Sequence, residues 1–468
     1  MPEVADQIRL QLAPHGRLVR DGQAVRVSLP WLELRLGQTG AGLTAALERL
    51  ATVGATEEEC VAEVRRSEGD LGLFGFYGAL HPLDCAGALS RALVQDAAPL
   101  ATLIPQAASF HLPTLQAAHA TRYRLSRFAC LRAVAGTWQL ESGPGRARLE
   151  VHDPRVLAWI GDLALNRPEH RDHGLTAASI DTLLVFLEAA GALCDRDNTE
   201  RPQNSMADAN AWWEFHDLLF HMRSRRGRSA GPYGATYHFR EQPAPPLIHP
   251  RRISDSIPLP RPDLNVLAQS DAPFVTVVEK RRSIRDYAPE PISCAELGEF
   301  LYRTARITSV LPAGETDCAL RPTPAGGALH ELEIYAVVAQ CQGLEMGLYH
   351  YDPHGHALGR LSGMTPEIEL LLKQAWHTAD KRSPVQVYLG ITARCRRVFW
   401  KYEGMAYALM LKNLGALYAT MYLAATAMSL APCALGGGDS ELFCRAAGID
   451  PLEEPALGEF LLGSLVQS

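Results

Sequence analysis

Residues 279–287 read Glu-Lys-Arg-Arg-Ser-Ile-Arg-Asp-Tyr, and four of the six positions from Lys280 to Arg285 are cationic. The chain as a whole carries a formal net charge of −7. So dense a positive cluster in an acidic protein asks for an anion. Nucleic acid, a membrane surface and a single phosphate are three candidates for arginine forks. The surrounding sequence separates them.

The chain has 468 residues, enough for two to four domains, with 47% apolar and 21% charged residues, the balance of a soluble globular protein. Its start, MPEVADQIRLQLAP, lacks the charged-then-apolar build of a secretory signal. No apolar run approaches the roughly 18 residues of a membrane span. The expectation is a cytoplasmic protein with no membrane contact. Ten cysteines without a CxxC pair argue against zinc ribbons, disulfide frameworks and iron–sulfur sites. His350, His354 and His356 surround Pro353 and Gly355, which reads as a hairpin turn, so no metal is expected. Only five basic residues are lysines (Lys280, Lys373, Lys381, Lys401 and Lys412), against 40 arginines. Each lysine is thus a position where a point charge is used in place of a planar fork.

The first 200 residues contain an approximate duplication. RLVRDGQAVRVSLPWLELRL predicts short strands about an Asp-Gly turn, followed by helices in TAALERLATV and EEECVAEVRR. RFACLRAVAGTWQLESGPGRARLEV repeats the strand–turn–strand pattern, followed by helices in DPRVLAWIGDLAL and ASIDTLLVFLEAAGALC. Two small winged-helix-like α+β units are expected, at residues 1–110 and 111–205. Over residues 1–200 there are 19 arginines and no lysine against 24 acidic residues, a net of −5. That excludes the phosphate-facing surface a DNA-binding winged helix needs. An exposed strand edge that accepts a peptide strand fits better. Residues 206–263 form an aromatic and histidine-rich stretch followed by seven prolines between Pro243 and Pro262, an extended semi-rigid linker. His216 and His221 are five apart and do not share a helical face as a metal pair would; packing is the expected role.

From residue 264 to 468 the pattern changes. ELEIYAVVAQ and VQVYLGITA are strand-like, and GMAYALMLKNLGALYATMYLAATAMSL, residues 404–430, is apolar nearly all round and predicts a long buried helix. Neither GxGxxG after the first strand nor GxxxxGK[ST] is present, so Rossmann and P-loop readings lose their main support.

Four motifs in order carry a specific resemblance: RRSIR at 281–285, RPTPAGGALHELEIY at 321–335, GLYHYD at 347–352 and LGGG at 435–438. Together they resemble the nitroreductase-like flavoproteins, which bind FMN. W-K-Y-E at 400–403, FHDLLFHMRSR at 215–225 and the added N-terminal half are similar to the SagB/ThcOx-type dehydrogenases, the azoline oxidases of modified-peptide (cyanobactin and related) biosynthesis. The resemblance implies an α+β protein whose C-terminal domain has a central antiparallel or mixed sheet flanked by helices. It also implies an FMN-dependent enzyme that oxidises thiazolines or oxazolines of a heterocyclised precursor peptide, working as a homodimer with FMN at the subunit interface. The helix at 404–430 is the natural interface element, or else a central core helix.

The chemistry of each motif agrees. Arginine forks bind phosphate bidentately, which suits Arg281 and Arg285, with Ser283 adding a hydroxyl and Arg282 in the same segment. A flat flavin ring needs close backbone approach, which Pro324, Ala325, Gly326 and Gly327 offer, although Ala325 stands where the family usually has serine. Gly436, Gly437 and Gly438 are placed to present backbone N–H groups to the ring. Aromatising an azoline removes a hydride from one ring carbon and a proton from its neighbour. The resemblance assigns that chemistry to Lys401 and Tyr402, with Lys401 expected to be a base of lowered pKa through desolvation. Tyr407 reads as a core side chain. Two other enzymatic readings share these motifs, an NAD(P)H-dependent nitro- or quinone reductase and a thiazoline oxidase of a non-ribosomal assembly line. A non-enzymatic adaptor with a degenerate flavin domain is the reading that Ala325 alone favours.

Overall fold

The computed structural model describes residues 7–114, 122–165, 167, 172–195, 209–250, 255–312 and 314–466. The chain divides into two compact units, residues 1–232 and 233–468. The boundary expected at residue 205 lies outside the described residues.

In the first unit the elements are β1 (Gln7–Leu12), β2 (Arg17–Asp21), β3 (Ala24–Ser28), β4 (Glu33–Gln38), α1 (Ala41–Thr52), α2 (Glu57–Cys85), β5 (Leu89–Gln95) and β6 (Ala98–Pro105). They continue with β7 (Tyr123–Leu125), β8 (Ala129–Val134), β9 (Thr137–Ser142), β10 (Ala147–Val151), α3 (Pro154–Ala164), α4 (Ala177–Ala189), β11 (Leu193–Asp195) and α5 (Phe215–Arg223). Local chemistry sets these boundaries. Gly22, at φ +61°, turns β2 into β3, and Ala135–Gly136, at φ +50° and +82°, closes the β8–β9 hairpin. Thr56 and Glu59 form a capping box at the start of α2, whereas α3 and α4 are capped by Asp153 and Thr176. The two strand–helix repeats share one antiparallel sheet, ordered β1-β5-β6-β10-β9-β8 and joined where β6 pairs with β10. Two cores form: Leu43, Leu47, Val64 and Phe76 in one, and Trp159, Leu163, Leu183 and Phe186 with Leu93 of β5 and Leu103 of β6 in the other.

The second unit contains β12 (Gly234–Ala235), β13 (Ser256–Pro258), α6 (Leu264–Ser270), α7 (Phe274–Lys280), α8 (Cys294–Ala305), β14 (Ser309–Leu311), β15 (Cys318–Leu320), β16 (Leu332–Val338), β17 (Gly347–Asp352) and β18 (Ala357–Ser362). It ends with α9 (Pro366–Thr378), β19 (Val387–Ala393), α10 (Cys395–Phe399), β20 (Tyr402–Glu403), α11 (Ala406–Ala427), β21 (Leu430–Leu435), α12 (Ser440–Ala447) and β22 (Ala456–Ser464). Its main sheet is antiparallel, ordered β13-β18-β17-β16-β19-β22-β21.

The central strands are continuously apolar because both faces of the sheet are covered. On β16, Leu332, Ile334, Ala336 and Val338 enter the core with residues of α8 and α11, while Tyr335 and Val337 face the core with residues of α9 and α12. β22 repeats this, with Phe460 and Leu462 on the first side and Leu461 on the second. The unit is therefore a sheet between two helical layers, an α+β domain.

The helix expected at 404–430 forms as α11, but it is not covered on every side. Ala406, Met410, Asn413, Leu414, Leu417, Met421 and Ala425 make its buried stripe. Tyr407 and Leu411 lie to one side of that stripe, 41% and 38% exposed. Tyr407 is thus not a core side chain, since a one-residue step from Ala406 turns it away from the sheet. The residues around His354 form the turn between β17 and β18, and His350 on β17 hydrogen-bonds Glu333 at 3.1 Å. Among the described residues no group of three or more His, Cys, Asp or Glu is arranged to hold a metal ion, and no helix is long and apolar enough to cross a membrane.

Candidate active site

The Pro324–Gly327 turn follows β15 and packs on the start of α11. Gly327 has φ +65°, the left-handed region that glycine enters without strain. A Cβ built on it would lie 2.5 Å from Tyr402 Oη and 3.1 Å from Lys401 Nζ, so that space is filled by the Lys-Tyr pair and has no room for a side chain. Next to it, Gly326 N–H donates to Asn413 Oδ1 at 3.0 Å, and Asn413 Nδ2 donates to Glu331 Oε1 at 2.8 Å. The glycine turn and the Lys-Tyr dipeptide, some 75 positions apart in the chain, are therefore one constellation.

Lys401 and Tyr402 lie between α10 and α11, half-buried, where β20 pairs with β12. Lys401 Nζ sits 5.3 Å from the ring centroid of Tyr402 and 5.5 Å from that of Tyr237. Burial pulls the pKa of Lys401 down, but Tyr402 and a hydrogen bond to Tyr237 outweigh it and hold the amine above the ordinary lysine value. This reverses the direction expected from desolvation alone: the two phenols favour the ammonium more than burial disfavours it.

The arginine segment leaves α7 and runs beside β21, where Ile284 N–H donates to Pro432 O at 2.8 Å. Ser283 Oγ is 2.7 Å from Tyr422 Oη, which accepts from Ala434 N–H at 2.8 Å. The Arg281 guanidinium lies 5.3 Å from the centroid of the Tyr422 ring. Arg285 Nε is buried without a hydrogen-bond partner, and Arg282 is exposed. Among the described residues none of the three guanidinium groups pairs with a carboxylate, whereas Arg303, Arg360, Arg382, Arg394 and Arg396 of the same unit do. Unpaired donors beside a hydroxyl are what a phosphate would complete.

Gly436–Gly438 follow β21 directly. Nothing stands within 4 Å of a Cβ on Gly436 or Gly437, so a flat ligand has access to that backbone, while one on Gly438 would run into Glu459. Gly437 and Gly438 line a cavity of about 800 Å³ with Lys373, Gln374 and His377 of α9. Two clusters of these residues lie along α11, and the glycine group after β21 lies beside α9. The Pro324–Gly327 turn, Lys401 and Tyr402 lie near Leu409 and Asn413; the arginine segment lies near Tyr422, and Gly437 and Gly438 border the cavity beside α9. Nine helical steps from Asn413 to Tyr422 separate the clusters by about 14 Å along the helix.

Sequence reading missed Asn413, Tyr422 and Tyr237. The first two had a signal, a lone amide on the buried face of an apolar helix and a hydroxyl-bearing ring near its end. Tyr237 had none, since it lies 164 positions upstream of Lys401.

Residues 278–463 match the family model of the nitroreductase family. This segment is a nitroreductase-family domain. Within the first unit, residues 123–230 match the model of the cyanobactin oxidase ThcOx. A protein of Methanocaldococcus jannaschii named as a nitroreductase is 26% identical over 184 residues, 39% of this chain and 86% of that protein. The trifolitoxin-processing protein TfxB of Rhizobium leguminosarum bv. trifolii is 26% identical over 164 residues, 34% of this chain and 44% of that protein. The match thus spans less than half of that relative. Among solved structures, one from Anabaena variabilis ATCC 29413 named as a nitroreductase is 22% identical with a TM-score of 0.39, covering 53% of this chain and 46% of that one. The E. coli microcin synthetase McbBCD complex, solved with truncated pro-MccB17 bound, is 17% identical with a TM-score of 0.34, covering 53% of this chain and 91% of the other.

Proposed function

We propose that the chain is an FMN-dependent dehydrogenase that converts thiazolines or oxazolines of a modified peptide to thiazoles or oxazoles. The observation that carries this reading is the packing of Gly327 against Lys401 and Tyr402, which joins a ring-cradling turn to a proton-handling pair. The match to an oxidase of cyanobactin biosynthesis and a nitroreductase-family domain in one chain supports the substrate class, as does the trifolitoxin-processing relative.

Arg281, Arg285 and Ser283, with Arg282 beside them, would hold the FMN phosphate, and Gly326, Gly327 and Gly436–Gly438 would leave its ring room at the backbone. FMN, when bound, supplies the acceptor for the hydride that leaves the azoline ring. The chain's own task is the proton from the neighbouring carbon. Lys401 and Tyr402 form a coupled pair that accepts this proton when it is one proton short of its full complement. With Lys401 above its ordinary pKa, that state grows on the alkaline side, so turnover rises with pH. The carbon proton goes to the pair and then to water, and an external electron acceptor would take up the two electrons of the hydride.

The two clusters on α11 and its exposed stripe at Tyr407 and Leu411 support a homodimer that places the arginine segment of one copy near the ring-side cluster of its partner. The first unit, acidic and built of two strand–helix repeats, would bind the peptide.

The test is direct. Purified protein should carry flavin absorbance and remove two mass units from a heterocyclised peptide, read by mass spectrometry. Colourless protein that binds no added FMN sinks the cofactor assignment. Rapid flavin reduction by NAD(P)H with no change in peptide mass transfers the chain to the reductases.

A further inference from the structure

Five glutamates are buried among the described residues, and four of them have partners. Glu141 pairs with Arg132 and Arg223, and Glu331 accepts from Asn413. Glu333 is held by Arg394 and His350, and Glu454 by Tyr335, Thr392 and His249. Glu459 of β22 is the exception. It is 6% exposed, its carboxylate makes no hydrogen bond or ion pair among the described residues, and burial alone pushes its pKa up. An uncompensated buried charge is costly, so a carboxylate kept in that state calls for a group that completes it.

The surroundings of Glu459 show what it faces. Phe460 and Leu462 enter the core with α8 and α11, so Glu459, one step earlier on the strand, turns to the side of α9 and α12. There it lines the cavity of about 800 Å³ together with Tyr388 of β19, Leu371 of α9 and Leu435 of β21. Tyr388 is 3% exposed, and its hydroxyl has no hydrogen-bond partner among the described residues either. Gly438 covers the carboxylate, since a Cβ there would run into Glu459 Oε1. Lys373 and His377 stand exposed at the rim and pair with no carboxylate among the described residues. The cavity is thus on the face of the sheet opposite α11, apolar in its walls, with one acid and one phenol unsatisfied on its floor. We propose that it is a binding site for an organic cation, an amidinium, guanidinium or ammonium head on an apolar body, whose N–H groups are taken by the Glu459 carboxylate and the Tyr388 hydroxyl. A planar fork suits it best, because two donors then meet two acceptors. A neutral ligand leaves the carboxylate charge uncompensated and an anion adds to it, whereas the apolar walls take the body.

Benzamidine is the probe, and benzamide its neutral counterpart of the same shape, each titrated into the full chain by isothermal calorimetry. Benzamidine is expected to bind at least about tenfold more tightly than benzamide. Glu459→Gln keeps the size of the side chain and removes its charge, and should weaken benzamidine by roughly 10- to 100-fold, the range of one lost hydrogen bond to a charged group. Because that variant discards an unpaired charge, its Tm should hold or rise; a fall makes Glu459 a support of the fold and overturns the proposal. Equal affinities of the two probes, or of parent and variant, overturn it as well, as does the absence of benzamidine binding at millimolar concentration. Saturating FMN should leave the affinity in place, and displacement by FMN gives the cavity to the cofactor and refutes a separate site. A short peptide carrying one arginine and the free amine agmatine then compete with benzamidine. The one that displaces it names the source of the cation, and if neither does, the proposal falls. Binding is read without turnover, so a chain that oxidises no azoline still decides the question.

Discussion

The two clusters on α11 are built in opposite ways. Around Lys401 most groups are held by the protein itself, by two aromatic rings, a paired strand, a glycine turn and the Asn413–Glu331 bridge, although Glu331 Oε2 is buried without a partner. Around Arg285 the guanidinium groups lack carboxylate partners and one Nε is buried without an acceptor, while Gly436 and Gly437 face open space. An ordered cluster suits groups that must meet a reacting atom in fixed geometry, because little reorganisation remains at the moment of reaction. An underpaired cationic cluster suits an anion that arrives from solution, since the arginines need not first break ion pairs. The contrast separates the residues that react from those that hold.

Substitution should tear the two clusters apart functionally. Lys401→Ala is expected to lower turnover by about 10²- to 10⁴-fold, the range of a lost proton-transfer group, while FMN content and KM stay near those of the parent. Loss of two mass units from a heterocyclised peptide gives the rate, and absorbance gives the flavin. Full turnover in Lys401→Ala would break the assignment of the ordered cluster. Arg281→Gln and Arg285→Gln should do the reverse, each weakening FMN by roughly 10- to 100-fold, as hydrogen bonds to a charged group are worth about 1.5–3 kcal/mol. Added FMN in excess should restore their kcat. Arg282→Gln, at the exposed position between them, should lose less, and a titration of apo-protein with FMN followed by fluorescence ranks the three.

The contrast also explains what could be read in sequence. RRSIR was legible because an unpaired charge cluster must occur as a local run, and a run is visible. The glycines at 326–327 and 436–438 were legible for the same reason, as was a lysine in a chain of arginines. The apolar run of β16 came through because burial on both faces leaves an unbroken hydrophobic signature, and α11 came through by its length. Partners contributed by distant segments were not legible. Tyr237 reaches Lys401 through a two-residue strand pair, too short to leave a periodic trace. The raised pKa of Lys401 followed from those hidden partners, whereas sequence supplied only the expectation of burial. Likewise, period-two patterns announced strands in both N-terminal repeats but not that β6 would pair with β10, because alternation fixes which face is buried and not which strand lies alongside.

Acid should loosen the ordered cluster while leaving the other unaffected. His330, just past the Gly327 turn, is held at a pKa of about 4 by burial and by Arg321 and Arg397. An unfolded histidine titrates near 6.5. Between those values the unfolded chain binds a proton that the folded one refuses, so this contribution is complete above about pH 6.5 and is lost progressively towards pH 4. By pH 5 the loss amounts to about 2 kcal/mol from this residue. Glu331 beside it, pushed up by burial, acts with the opposite sign, so the readout is a difference between proteins. His330→Asn does not titrate and tolerates the φ of +48° found there. Its urea midpoint should fall less between pH 7 and pH 5 than that of the parent, and equal falls would remove His330 from the account.

The smallest effect probes how tightly the ordered cluster is packed. Gly327→Ala adds a single methyl at a left-handed position, costing about 1–2 kcal/mol in backbone strain. The methyl would also meet Tyr402 Oη at 2.5 Å and Lys401 Nζ at 3.1 Å. The lysine amine ends a flexible chain and can give way, but the tyrosine is tied to β12 through its backbone pair with Ala235 and has less freedom to retreat. The modest fall in stability should therefore come with a disproportionate fall in kcat, because the displaced groups are the two assigned to the proton. Gly437→Ala, where the added methyl meets nothing, should leave folding untouched and show itself only in FMN affinity. If both substitutions cost stability alike and neither changes kcat or FMN binding, the distinction between a packed reacting cluster and an open holding one fails.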